Sequence, residues 1–254
     1  MNLARAWLNL VWLSFRRLLW SINTLMVLVP LAACALFLLQ RRYAATGFSA
    51  RKFDEFNNFL MFGFLSIVVP LCALGLGTAG IGGDREDRTL LFVLVRPIPR
   101  ALVVLAKFVA TLPLALGLTL TGYYVCCRLA GSLGAAVYDL YLPAVIYTTV
   151  AYVGLFQFFA VLFRHSTIIA LIYSLFVELL IGNVPGIIKR VAVNYYGRSL
   201  MYDAGRAEGL RAPDPVLFEP ITPFAAQLAL VAIAAGGVLL AIAFFQRREY
   251  RDLT

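Results

Sequence analysis

Residues 59–100 read FLMFGFLSIVVPLCALGLGTAGIGGDREDRTLLFVLVRPIPR. An uncharged run, 59–83, gives way to five consecutive charges, Asp84 to Arg88. An apolar strip follows, Leu90, Leu91, Val93 and Leu94, and Pro97 and Pro99 end it. The uncharged run exceeds the roughly 20 residues that an α-helix needs to cross the hydrocarbon of a bilayer. Acidic residues directly after it suit the positive end of a new helix, and the prolines terminate that helix. The stretch therefore reads as a membrane span, then a short amphipathic surface helix over 84–100, then the start of another span.

Working outward, the runs 18–39, 140–163 and 221–246 are also uncharged, while 101–127 carries Lys107 and 166–188 carries Glu178. Only 14 % of the 254 residues are charged and 62 % are hydrophobic, against about 25 % charged in a globular average. Mean hydropathy is +0.86. These values exclude an ordinary soluble domain. The runs do not alternate apolar and polar residues as barrel strands do. The expectation is an all-α polytopic membrane protein, one transmembrane domain over 1–254, with six spans at about 18–39, 59–83, 101–127, 140–163, 166–188 and 221–246. The first span is too long for a cleavable signal and lacks a small-x-small site before Gln40.

Residues 2–17 place Leu3, Trp7, Leu10, Val11 and Phe15 on one helical face, with Arg5, Asn9 and Arg16 mostly opposite. Such a helix suits the plane of the interface; a plain extension of the first span is the alternative. Lys and Arg divide twelve against ten between the two sides, a small excess that favours cytoplasmic termini. The segment 189–220 mixes aromatic and charged residues after Gly182, Pro185 and Gly186. It reads as an extracytoplasmic loop with short helices able to dip back into the membrane. Gly75, Ala79 and Gly83 share a face of the second span at four-residue spacing, with Pro70 before them. Small residues in that pattern let helices approach closely in lipid, and a proline can bend the helix. A mobile helix lining a pathway is the functional reading of the same residues.

Reactive groups are scarce. The four cysteines, Cys34, Cys72, Cys126 and Cys127, fall inside spans without metal-ligand spacing and read as inert buried thiols. The lone histidine, His165, sits in a tight turn, where Ser166 or Thr167 is expected to cap the next helix. No phosphate-binding loop of the G-x-x-x-x-G-K-[ST] type occurs, so the chain binds no ATP in that way. The pair "GGD" at 82–84 and "YD" at 138–139 does not make an intramembrane aspartyl protease: Ile81 stands where that motif needs glycine, and Asp139 is expected in a loop. The formal charge of +9 reads as membrane-flanking arginine, with no sign of nucleic-acid binding. Glu178 is the one acidic residue at membrane depth, where a carboxylate must pair, protonate or face water. It is either a substrate- or proton-linked group, or a structural partner of Arg128, Lys189 or the backbone break near Gly182.

The segment after the second span resembles the membrane subunits of ABC type-2 transporters, whose corresponding loop typically reads E-x-G-T-L…L-L…P-[IV]-S-R…K. Here Glu86-Asp87-Arg88-Thr89-Leu90 is followed by Pro97-Ile98-Pro99-Arg100 and Lys107. Arg88 replaces the usual glycine and Pro99 the usual serine. The whole pattern is similar to compact permeases of the nitrous-oxide-reductase maturation type. The resemblance implies a permease subunit of an ATP-driven exporter in the cell inner membrane, working as a homodimer or as a heterodimer with a related permease. It also implies a separate ABC ATPase subunit that binds ATP and Mg, this chain binding no cofactor itself. The surface helix would be a coupling helix docked on that ATPase through Asp84, Arg85, Glu86, Asp87, Arg88, Thr89, Arg96 and Arg100. A non-transporting membrane scaffold or assembly subunit is the alternative from another class, and a membrane enzyme a third.

Overall fold

The computed structural model describes residues 3–41, 50–84, 99–184, 186–206, 210 and 218–247. Most of the described residues are helical, and six helices among them are long and apolar enough to cross a membrane. Helix α1 (Leu3–Leu19) precedes α2 (Ile22–Arg41). Ser21 separates them and accepts the Thr24 backbone N–H at 3.4 Å, the role of an N-terminal cap. Next comes a continuous rod, here α3, built of an α-helical segment Ala50–Asn58, a π-helical stretch Phe59–Val68, an α-helical segment Val69–Thr78 and a second π-helical stretch Ala79–Gly83. Pro70 stands at the start of the second α segment. It has no N–H to offer the carbonyl four residues back. The chain approaches it in the wider register: Val69 N–H reaches Phe64 O, and Ser66 Oγ donates to Met61 O at 2.8 Å.

Helix α4 (Arg100–Leu129) and α5 (Ser132–Leu162) follow, joined through Gly131, whose φ of 66° favours glycine. Helix α6 starts at Ser166–Tyr173, widens to a π-helical stretch over Ser174–Leu180 and ends in a 3-10 turn, Ile181–Asn183. A 3-10 turn over Ile187–Val191 leads to α7 (Val193–Gly205), and α8 (Pro223–Arg247) completes the bundle.

Helix α5 is the centre: α3, α4, α6, α7 and α8 all pack on it. Its tightest neighbour is α8, because glycine meets glycine there. A Cβ built on Gly154 would lie 2.6 Å from the Ala234 carbonyl oxygen, and one on Gly237 would lie 2.6 Å from that of Gly154. In lipid, helices gain little from hydrophobic transfer, so such close backbone approach supplies the attraction. Helix α2 lies at the edge against α3 and α4. Ile22, Leu25, Met26 and Val29 on it are exposed, as befits a face turned to lipid. Helix α1 packs on α4, buries Leu10, Ser14 and Leu18, and leaves Leu8, Trp12 and Leu13 exposed.

Two local expectations need correction. Asp139 lies within α5, exposed, and not in a loop. The hydroxyl of Ser166 is buried without a hydrogen-bond partner and that of Thr167 lies 3.3 Å from Thr78 Oγ1, so neither caps α6.

Candidate functional site

At the end of the bundle that carries α1, the last turn of α3 delivers Asp84 into a closed corner. Its side chain is 2 % exposed and pairs with Arg17 of α1 and, at 2.6 Å, with Lys107 of α4. The corner exists because glycines let three helices converge. A Cβ on Gly80 would meet Thr111 Oγ1 at 3.2 Å and one on Gly82 would meet Ser166 Oγ at 2.7 Å. Two polar bridges hold the surroundings: Trp7 Nε1 donates to Leu102 O at 2.9 Å, and Gln157 Nε2 donates to Val104 O at 2.8 Å. A cavity of about 390 Å³ beside the ion pairs is lined by Ser14, Arg17, Ser21, Gly83, Asp84 and Lys107. Removing one member of such a buried cluster typically costs about 3–5 kcal/mol, because the remaining charge loses its partner in a poor solvent. Chemically the cluster is a clasp: it fastens the point where the chain leaves α3 to both α1 and α4.

Asp84 therefore faces inward, towards its own chain. Arg100, at the start of α4, reaches Gln246 O near the end of α8 at 3.3 Å. Arg85, Glu86, Asp87, Arg88, Thr89 and Arg96, with the amphipathic helix expected over 84–100, lie outside the described residues. Among the described residues no cluster of His, Cys, Asp and Glu could hold a metal. The four cysteines are free and buried.

Glu178 sits in the π-helical part of α6, fully buried, and its role is visible in its partners. One carboxylate oxygen accepts the Val193 N–H at 3.0 Å and the other the Asn194 N–H at 2.9 Å. Asn194 Nδ2 donates back to the Glu178 backbone carbonyl at 2.8 Å. The carboxyl group thus closes the N-terminus of α7, where unpaired N–H groups and the helix dipole favour an oxygen acceptor. Its acceptors are met by the first residues of α7, eleven positions past Gly182, and not by the backbone at Gly182 itself. Tyr152 of α5 and Tyr173 of α6 face the same carboxylate.

Arg198, one turn along α7 from Asn194, is 2 % exposed. It donates to Asn183 Oδ1 at 2.8 Å and to the Gly182 carbonyl, and lies between the rings of Phe62 and Phe218 at 4.9 and 5.1 Å. Burial pushes the Arg198 pKa down, opposed by Tyr202, Tyr152 and Glu178. The group stays a cation at any physiological pH. Gly197 fits α7 against Leu65 and Thr148. The knot pins α7 to the end of the bundle away from the Asp84 clasp, and its hydrogen bonds are of the charge-assisted kind.

The second-span residues separate in the structure. A Cβ on Gly75 would lie 2.8 Å from Val27 Cγ2, a direct α2–α3 contact. Ala79 and Gly83 line the clasp cavity, and Gly83 has nothing within 4 Å of an added Cβ. Sequence reading did not single out Gly154, Gln157, Arg198 or Gly237. A basic residue inside the aromatic run VNYYGRSLMY was the available sign for Arg198, since a buried cation seeks ring faces and carbonyls.

The six-span helical bundle has a counterpart among known families. The family described as "ABC-2 family transporter protein" matches residues 16–200. The match covers all but the last span and does not single out the nitrous-oxide-reductase maturation type. No curated protein matches the chain. Well over half of the sequence falls under the family pattern, and the chain belongs to the ABC-2 transporter family.

Proposed function

We propose that this protein is the membrane half of an ATP-driven exporter. It forms the translocation pathway as a dimer and is driven by a separate ATPase subunit that binds ATP and Mg. Family membership supports a permease subunit of an ABC transporter; export, dimerisation and coupling are the finer parts of the proposal. The chain supplies no catalytic residue in this reading. It resides in the inner membrane with both termini in the cytoplasm.

The observation that carries the coupling is the Asp84 clasp. The segment 85–98 joins α3 to α4, and Asp84 at its head is fastened to Arg17 and Lys107. A displacement of the segment by a docked ATPase would be felt by α1, α3 and α4 together, because ion pairs and close packing transmit it without slack. The test is co-expression with a candidate ATPase, reconstitution in lipid nanodiscs and measurement of ATP hydrolysis with and without candidate substrates. Stimulated hydrolysis that needs this chain is the expected result. A stable complex with unstimulated hydrolysis and no transport in vesicles would favour a scaffold instead.

A further inference from the structure

A second cavity lies at the opposite end of the bundle, where α4 turns into α5. It measures about 550 Å³, and Tyr124, Arg128, Gly131, Ser132, Ala135 and Tyr138 are among its lining residues. Its walls are fixed. The Tyr138 ring stacks on Tyr123 at 5.4 Å and meets Tyr124 edge-on at 5.9 Å. Tyr123 in turn donates its hydroxyl to the Val137 and Tyr138 carbonyls at 3.0 and 2.9 Å. Gly134 lets the first turn of α5 press against the Cys127 backbone, where a side chain would collide.

The chemistry of the lining has one sign. The Arg128 guanidinium makes no hydrogen bond or ion pair among the described residues, and no carboxylate lines the cavity. Arginine, two tyrosines and a serine, each of which carries a hydrogen-bond donor, line one space. A planar guanidinium with hydroxyl neighbours suits a phosphate oxygen pair. The depth narrows the source. The cavity sits at the ends of two spanning helices, Arg100–Leu129 and Ser132–Leu162, and about 30 Å along α4 from Lys107. That is the headgroup level of the leaflet opposite α1, where tyrosine and arginine meet phospholipid.

We propose that this cavity is a binding site for the phosphate of an anionic phospholipid, with Arg128 as its charged anchor and Tyr124 and Tyr138 as its walls. The proposal is independent of the transport reading. The phosphate lies between Arg128 and the Ser132 hydroxyl, and the acyl chains run down the exposed side of α4 past Val125.

The experiment is native mass spectrometry of the protein released from nanodiscs of phosphatidylcholine containing phosphatidylglycerol. A retained phosphatidylglycerol adduct is expected on the wild type. Arg128→Ala should reduce it about tenfold, the size of one lost charge-assisted contact. Ala135→Trp keeps the charge and fills the cavity from an exposed position, so it should reduce the adduct equally. Arg164→Ala, at the turn between α5 and α6, should leave the adduct unchanged. General attraction of lipid to surface arginine predicts the reverse: no effect of Ala135→Trp and equal effects of the two arginine changes. That result, an adduct with the mass of inorganic phosphate alone, or no adduct on the wild type would overturn the proposal.

Discussion

The carboxylate of Glu178 accepts the backbone N–H of Asn194 at 2.9 Å while the Asn194 side chain donates to the Glu178 backbone carbonyl at 2.8 Å. The two residues, sixteen apart in sequence and both fully buried, exchange hydrogen bonds in both directions. This reciprocity makes Glu178 a cap for α7 more directly than a group waiting for substrate.

Glu178→Gln keeps the shape of the side chain but turns an N–H donor towards one of the two backbone donors. The facing N–H then loses its acceptor, which costs about 1–3 kcal/mol when buried. The variant should insert into the membrane, melt at a lower temperature in detergent, and exchange the amides of Val193 and Asn194 faster. Normal stability with transport abolished would instead assign Glu178 to substrate or proton handling.

The clasp gives a test of pairwise coupling. Asp84→Asn leaves Lys107, itself 5 % exposed, beside a neutral amide, a change of about 3–5 kcal/mol for a buried pair. Lys107→Met alone strands Asp84 with Arg17. Combining Asp84→Asn with Lys107→Met removes both charges, so the double variant should be more stable than the sum of the single losses implies. Thermal melting of all four proteins in one detergent measures the difference. Strict additivity would mean that the two residues do not act as a unit.

Neighbouring glycines of α8 and the facing glycine of α5 separate packing from helix preference. Gly154→Ala puts a methyl group 2.6 Å from the Ala234 carbonyl oxygen, while Gly236→Ala meets nothing within 4 Å. Overpacking of this kind costs about 1–3 kcal/mol. Alanine in an open helical site gains up to about 1 kcal/mol over glycine. Gly154→Ala should therefore lower the yield of folded protein, and Gly236→Ala should keep or raise it, as read by size-exclusion chromatography after solubilisation.

The six spans were legible because length and hydropathy act residue by residue: any run of about 20 apolar residues must leave water. Glu178 was legible as a problem, since a lone acid among apolar neighbours has to be answered. Its answer was not. The Val193 and Asn194 amides carry no sequence signal, because every residue has an N–H. Gly75 was found by its spacing, but Gly154 and Gly237 lie on different helices and their meeting depends on how α5 and α8 cross. The π-helical register around Pro70 was equally hidden, for the proline announces a lost donor and not how the chain accommodates it. Asp84 was grouped with Glu86 and Asp87 by adjacency, yet the last turn of α3 directs it inward to Arg17 and Lys107.

That separation sharpens the test of ATPase docking. A variant that removes Asp84 together with its acidic neighbours would confound the clasp with the docking surface, so the informative changes are at Glu86 and Asp87. Glu86→Lys reverses a charge that, on the docking reading, meets a cationic group of the ATPase, an effect of about 1–3 kcal/mol if the pair is partly desolvated. It leaves the Arg17–Asp84–Lys107 cluster intact. The protein should thus insert and melt as the wild type does, but lose substrate-stimulated ATP hydrolysis in the assembled complex. Asp84→Asn should differ in kind, lowering the melting temperature of the isolated chain before any partner is added. Leu91→Asp, on the apolar strip, should lower the yield of folded protein through the membrane contact. Wild-type coupling in both Glu86→Lys and a Glu86→Ala/Asp87→Ala double variant would reject the docking role and leave the clasp as a fastening of the bundle alone.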